Sequence, residues 1–126
     1  MKSQVQISDA EAAVMEVLWQ RSPAGSEEIA IALAPQRQWH ESTVKTLLNR
    51  LLRKGAIRAS KQGRRHLYTP LLKREAWLSE ESAGLLDRLF GGRVAPFVAH
   101  FSRQRKLSRR DLEELKRLIG ELEDER

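Results

Sequence analysis

The residues best equipped for chemistry lie between His40 and Pro70, in HESTVKTLLNRLLRKGAIRASKQGRRHLYTP. Ser42, Thr46, Asn49 and Arg53 recur at helical spacing, with Thr43 and Arg50 flanking them. At about 100° per residue they share one helix face. Short hydroxyl and amide groups with an arginine beside them are the side chains that read base edges in a major groove. Ser42, Thr43, Thr46, Asn49 and Arg50 are therefore the candidate base readers. For Ser42 or Thr43, helix N-capping is the competing reading. Lys45, Arg53, Arg64 and Arg65 suit phosphate oxygens, contacts that fix register and affinity with little sequence information. Residues 41 to 68 hold eight cations against one acid, Glu41, a surplus of seven where the whole chain carries +6. Charges elsewhere nearly cancel, and an anionic polymer is the natural partner for such a patch.

The elements that must position these groups follow from the apolar spacing. Val44, Leu47, Leu48, Leu51 and Leu52 make the i, i+3, i+4, i+7, i+8 stripe of a helix with one buried face. Gly55 stops it in the left-handed C′ role. Ala56 to Lys61 and Arg65 to Leu71 read as two strands around Gln62-Gly63-Arg64, a hairpin with glycine in its turn. Upstream, Ser8-Asp9-Ala10-Glu11 is a capping box. It opens a helix that buries Ala10, Val14, Val17 and Leu18 and is closed by Ser22-Pro23. A second helix is expected from an N-cap at Ser26, with Glu27 and Glu28 at its positive end, Ile29, Ala30, Ala32 and Leu33 inward, and Pro35 as its stop. Trp19 and Trp39 are expected to pack in the core and a turn rather than stack on bases. Helix, helix, helix, hairpin is the order of a winged helix.

Beyond Leu72 the pattern is helical only. Arg74 to Phe90 places Leu78, Leu85, Leu86 and Leu89 on one stripe, stopped by Gly91-Gly92. Pro96 is tolerated only in a first turn, so a helix should begin near Arg93 and present Val94, Phe97, Val98 and Phe101. Ser108 to Asp111 caps a last helix with Leu112, Leu115, Leu118, Ile119 and Leu122 on one side, and the acidic tail from Glu121 to Arg126 should fray. These helices are too few to close a core alone, and a second copy of the chain is the simplest supplier of the missing surface. Leu85, Leu89, Phe97, Phe101, Leu112, Leu115, Leu118, Ile119 and Leu122 are the expected dimerisation residues.

Composition excludes several classes. The 126 residues, 40% hydrophobic and 32% charged, suit one ordinary domain or two small units. The absence of cysteine excludes disulfides and thiolate metal sites. His40-Glu41 begins an HExxH pattern, but Val44 stands where the second histidine belongs, so no metal is expected. No nucleophile elbow, phosphate-binding loop or dinucleotide turn occurs, so neither an enzyme nor a cofactor is expected. MKSQVQISDA lacks a signal-peptide core and no apolar run approaches a membrane span. A cytoplasmic protein without direct membrane insertion is the expectation.

The stretches ISDAEAAVMEVLW (residues 7–19), TVKTLLNRLLRKG (43–55), YTPLL (68–72), LLDRLFGG (85–92) and KLSRRDLEELKRLI (106–119) resemble the penicillinase-repressor family of BlaI, MecI and CopY type. The resemblance implies a homodimeric winged-helix repressor on inverted-repeat operators with TACA/TGTA-like half-sites. In β-lactam-responsive members it also implies a membrane-bound sensor metalloprotease, followed by cleavage of an Asn–Phe bond in the helix before the last. Here the matching bond is His100–Phe101, which departs from that pattern. The copper-responsive branch uses a cysteine-rich site that this chain lacks.

The expected fold is mainly α with a small β-hairpin wing: an N-terminal winged helix-turn-helix over 1–72 and a C-terminal three-helix dimerisation region over 73–126. The expected function is repression from operator DNA, controlling β-lactam-resistance or related genes and relieved by proteolysis. The rivals are a winged-helix protein-interaction module that binds no DNA and a repressor of the same family answering another signal. RNA binding is weaker, since no exposed aromatic pair suited to stacking is evident.

Overall fold

The computed structural model describes residues 5–125. The signal-peptide reading falls partly on residues 1–4 and the fraying tail ends on residue 126, all outside the described residues. Among these residues the chain forms six helices and one antiparallel hairpin: α1 (Asp9–Gln20), α2 (Ser26–Arg37), α3 (Glu41–Lys54), β1 (Ile57–Gln62), β2 (Arg65–Pro70), α4 (Arg74–Phe90), α5 (Val94–Arg103) and α6 (Arg109–Asp124). Packing divides it into two compact units at Glu80–Glu81. The division falls inside α4, whose first residues belong with the N-terminal unit.

In that unit, local signals and tertiary contacts agree at most helix ends. At the start of α1 the Glu11 N–H donates to Ser8 Oγ at 3.1 Å and the Ser8 N–H donates back to Glu11 Oε1 at 2.8 Å. The helix buries Val14, Met15, Val17 and Leu18, the methionine being a core member that apolar spacing did not single out. Helix α2 departs from expectation at both ends. Its N-cap is Gly25, whose N–H donates to Glu28 Oε1 at 2.7 Å. Ser26 is the first helical residue, and its hydroxyl donates to Glu41 Oε2 at 2.8 Å instead of capping. Pro35 does not stop the helix, which runs to Arg37. A proline this late removes one hydrogen bond, to the carbonyl of Ile31, a residue exposed enough for water to replace the donor.

Helix α3 carries the expected stripe, with Val44, Leu47, Leu48 and Leu51 buried. Gly55 takes φ +78°, its N–H donates to the Leu52 carbonyl, and the Ala56 N–H donates to the Leu51 carbonyl at 3.0 Å. This is the Schellman arrangement, with Leu51 and Ala56 both fully buried beneath it. Ala56 is thereby used as a cap, and β1 begins one residue later than expected. Gln62 pairs with Arg65, so the turn is two residues, Gly63-Arg64, rather than three, with Gly63 at φ +63°. The Ala24 N–H donates to the Tyr68 carbonyl at 3.2 Å, and the Tyr68 N–H returns the bond at 2.9 Å. This isolated bridge ties the hairpin to the segment before α2. Trp19 donates from Nε1 to the Leu72 carbonyl at 2.8 Å and packs on Trp77 with ring centroids 5.3 Å apart. Trp39 lies half-buried against the core beneath Arg37. Both tryptophans therefore pack, as expected.

The C-terminal unit is held differently. Gly91 and Gly92 take φ +60° and +76° and end α4. Arg93 caps α5, and Pro96 sits in its first turn. Ser108 Oγ accepts the Asp111 N–H at 3.0 Å to begin α6. The helix runs to Asp124, past the point where fraying was expected. Phe97 meets Phe90 and Phe101 edge-on at 5.4 and 5.0 Å. No residue of α5 or α6 is buried.

Candidate nucleic-acid interface

With its apolar side in the core, α3 turns Ser42, Thr43, Lys45, Thr46, Asn49, Arg50 and Arg53 outward, and all are exposed. The capping alternative for Ser42 and Thr43 falls away, because His40 is the N-cap and both lie inside the first turn. Fourteen helical residues span about 21 Å. A helix about 10–12 Å across fits a major groove about 12 Å wide. Thr46 donates its hydroxyl to the Ser42 carbonyl at 3.1 Å, which leaves the oxygen's lone pairs outward as acceptors.

The cations divide into free and committed. Arg50, Arg53 and Arg64 form no ion pair among the described residues, whereas Lys45 lies 3.8 Å from Glu41. Arg65 Nη2 meets Glu28 Oε1 at 2.7 Å while the side chain stays largely exposed. Lys54 belongs to the fold instead. It donates to Glu11 Oε1 at 2.6 Å and to the Gln6 carbonyl at 2.9 Å. Burial pushes the Glu11 carboxyl up, but the Lys54 ammonium and the Ser8 amide and hydroxyl outweigh it and hold its pKa below the ordinary value. One of the eight cations is thus spent on a buried acid, and the rest of the patch faces solvent.

A cleft lies where the starts of α2 and α3 meet the hairpin, lined by Ser26, Glu41, Lys45, Arg64, Arg65 and His66 among others. Sequence reasoning placed Lys45, Arg64 and Arg65 together but missed Gly25, Ser26 and Glu28 beside them. The available signal was Glu28 three residues after Gly25, half of a capping pattern. Among the described residues no group of three or more His, Cys, Asp or Glu is arranged to hold a metal ion, and no helix is long and apolar enough to cross a membrane. The expected dimerisation residues all fall on α4, α5 and α6. Leu89, Leu112, Leu118, Ile119 and Leu122 are exposed, and Leu85, Phe97, Phe101 and Leu115 are partly covered. His100 is exposed inside α5, next to half-buried Phe101.

A helix with an exposed polar face, braced by two others and followed by a cation-tipped hairpin, defines the winged-helix class of regulators. The family model described as penicillinase repressor matches residues 7–121. The chain belongs to that family. The penicillinase repressor of Bacillus licheniformis is 34% identical over 121 residues, covering 96% of this chain and 94% of that protein. The methicillin resistance regulatory protein MecI of Mammaliicoccus sciuri is 28% identical over 115 residues, covering 91% and 94%. A solution structure of the monomeric form of Bacillus licheniformis BlaI, in complex with the blaP half-operator, superposes with a TM-score of 0.51. It is 40% identical and covers 60% of this chain and 92% of that one. This chain is a transcriptional repressor and not an enzyme.

Proposed function

We propose that the chain acts as a homodimer on inverted-repeat operator DNA, each copy laying α3 in a major groove. In this reading residues 1–72 hold DNA and residues 73–126 hold the partner copy. Ser42, Thr43, Thr46, Asn49 and Arg50 read base edges, and Lys45, Arg53, Arg64 and Arg65 grip phosphates. The observation that carries it is the uninterrupted outward polar and cationic face of α3, with the exposed guanidinium of Arg64 on the wing. That the related BlaI monomer has been solved on a half-operator supports the same use of this face.

Leu85, Leu89, Phe97, Phe101, Leu112, Leu115, Leu118, Ile119 and Leu122 supply the dimer contact. Pairing two winged helices multiplies affinity for a two-part site through effective concentration. Release follows from cleavage at His100–Phe101 in response to a membrane-bound sensor metalloprotease, with β-lactam-resistance or related genes as targets. Because that bond lies inside α5, a protease must first meet it in a locally unwound state. His100 in place of the asparagine favours a second reading, the same repressor answering another signal. A gel shift on the promoter region of the chain's own gene tests the core of the proposal. A salt-sensitive, sequence-selective complex is expected, and equal affinity for random DNA would refute operator recognition.

A further inference from the structure

Arg65 sits in a seat that the phosphate-gripping role alone does not explain. Its Nη2 donates to Glu28 Oε1 at 2.7 Å, and the same oxygen accepts the Gly25 N–H at 2.7 Å. The carboxylate is therefore fixed by backbone at the start of α2 and offers the wing an anchored point 37 residues away in sequence. Gly25 has φ −94° and ψ 169°, values open to any residue, so backbone conformation does not call for glycine. Space is tight there: a Cβ at Gly25 would stand 3.0 Å from Arg65 Nη2, close enough to push the guanidinium end aside by a few tenths of an ångström, with the His66 carbonyl at 3.4 Å and Glu28 Oε1 at 3.5 Å in ordinary contact. The missing side chain makes room for the guanidinium.

Both partners of the pair are about half exposed, and such a pair contributes little to stability. What it supplies is geometry. The Ala24–Tyr68 bridge already fixes β2 three residues further on, and the Glu28–Arg65 contact carries that anchorage to the first residue after the turn. A guanidinium has five N–H donors, so one bond to Glu28 leaves others for a phosphate. A long side chain held in place beforehand loses less freedom when it grips.

We propose that Gly25, Glu28 and Arg65 form a latch that sets the wing against α2, with Glu28 and Gly25 as positioning residues for the DNA contact made by Arg65. The inference rests on the DNA-binding reading above. It carries a sign that separates it from plain electrostatics. Removing an ordinary surface acid from a basic face strengthens DNA binding, whereas removing a positioning acid weakens it.

The test is a salt titration of the full-length protein and its variants on two duplexes, the promoter region of its own gene and a random sequence. Glu28→Ala and Gly25→Ala should each weaken binding by about three- to tenfold, with a fall in the log–log salt slope smaller than the ~0.9 expected when Arg65→Ala removes the phosphate contact itself. Gly25→Ala does so without changing any charge. In an Arg65→Ala background neither substitution should weaken binding further, as a double-mutant cycle requires of residues acting through one another. Unchanged or tighter binding by Glu28→Ala, or an equal loss in the Arg65→Ala background, overturns the latch while leaving DNA binding intact. Failure of the unmutated protein to bind either duplex overturns the DNA reading and the latch with it. If circular dichroism finds Glu28→Ala unfolded, Gly25→Ala and Glu28→Gln decide by the same criteria.

Discussion

The two units are built from similar apolar stripes and finish in opposite states. In the N-terminal unit Val14, Met15, Leu18, Ile29, Leu48 and Leu51 are wholly removed from solvent. In the C-terminal helices Leu89 is 65% exposed, Ile119 54% and Leu122 58%, although their spacing is as regular as that of α3. The difference teaches that periodicity states which face needs cover, not what covers it. Three helices and a bridged hairpin cover one another. The end of α4 with α5 and α6 presents apolar faces that one chain does not close, which supports a partner copy as their complement.

The sharpest way to break this contrast is to delete a side chain on each side of it. Leu48→Ala should cost about 2–5 kcal/mol, the range for a fully buried leucine. That loss should be the same at every protein concentration in denaturant titrations. Leu118→Ala should instead destabilise in a concentration-dependent manner if, as proposed, its contact belongs to an association. A concentration-independent loss for Leu118→Ala would assign that residue to a core within one chain.

Acid probes the same contrast, because the buried carboxylate of Glu11 and its exposed partner Lys54 lie in the finished unit. The folded-state pKa of Glu11 is below its ordinary value of 4.5. Its contribution is therefore complete above pH 4.5 and lost as pH falls through the lower folded value. Lys54→Met should cost about 1–3 kcal/mol near neutrality by leaving a buried carboxylate short of a partner. It should also flatten the stability profile on the acid side. A variant as stable as the parent at neutral pH would show the pair to be dispensable.

On the DNA face, α3 and the wing should answer differently to substitution. Asn49→Ala should lose roughly 1–3 kcal/mol on the operator and almost nothing on random duplex. Equal losses on both would reassign Asn49 to backbone contact. Arg64→Ala should weaken both sequences alike and reduce the salt slope by about 0.9. An unchanged slope would remove the wing tip from the interface.

How far the chain can be read without coordinates depends on whether the deciding contact is local. The capping box of Ser8 and Glu11, the stripe and glycine of α3, and both ends of α4 involve residues within a turn or two, and sequence spacing places them. Ser26 does not cap α2 because its hydroxyl answers to Glu41, fifteen residues on. Pro35 failed as a stop because a proline near a helix end costs a single bond that water can replace. The turn shortened because Gln62 joined the ladder once Gly63 took the positive φ. The base-reading candidates were visible as one polar face. The bond that Arg65 donates to Glu28 was not, since only the folded wing brings them together.

On the proposed reading the winged helix is complete in one chain, while the C-terminal helices are completed by a second copy. Truncation after His100 tests it most directly, because it removes Phe101 and α6, about twenty-five residues, while leaving the N-terminal unit whole. Sedimentation and circular dichroism on that protein should find a monomer whose winged helix still unfolds cooperatively, with operator affinity much reduced for want of the second grip. A stable dimer with undiminished operator affinity would contradict the account.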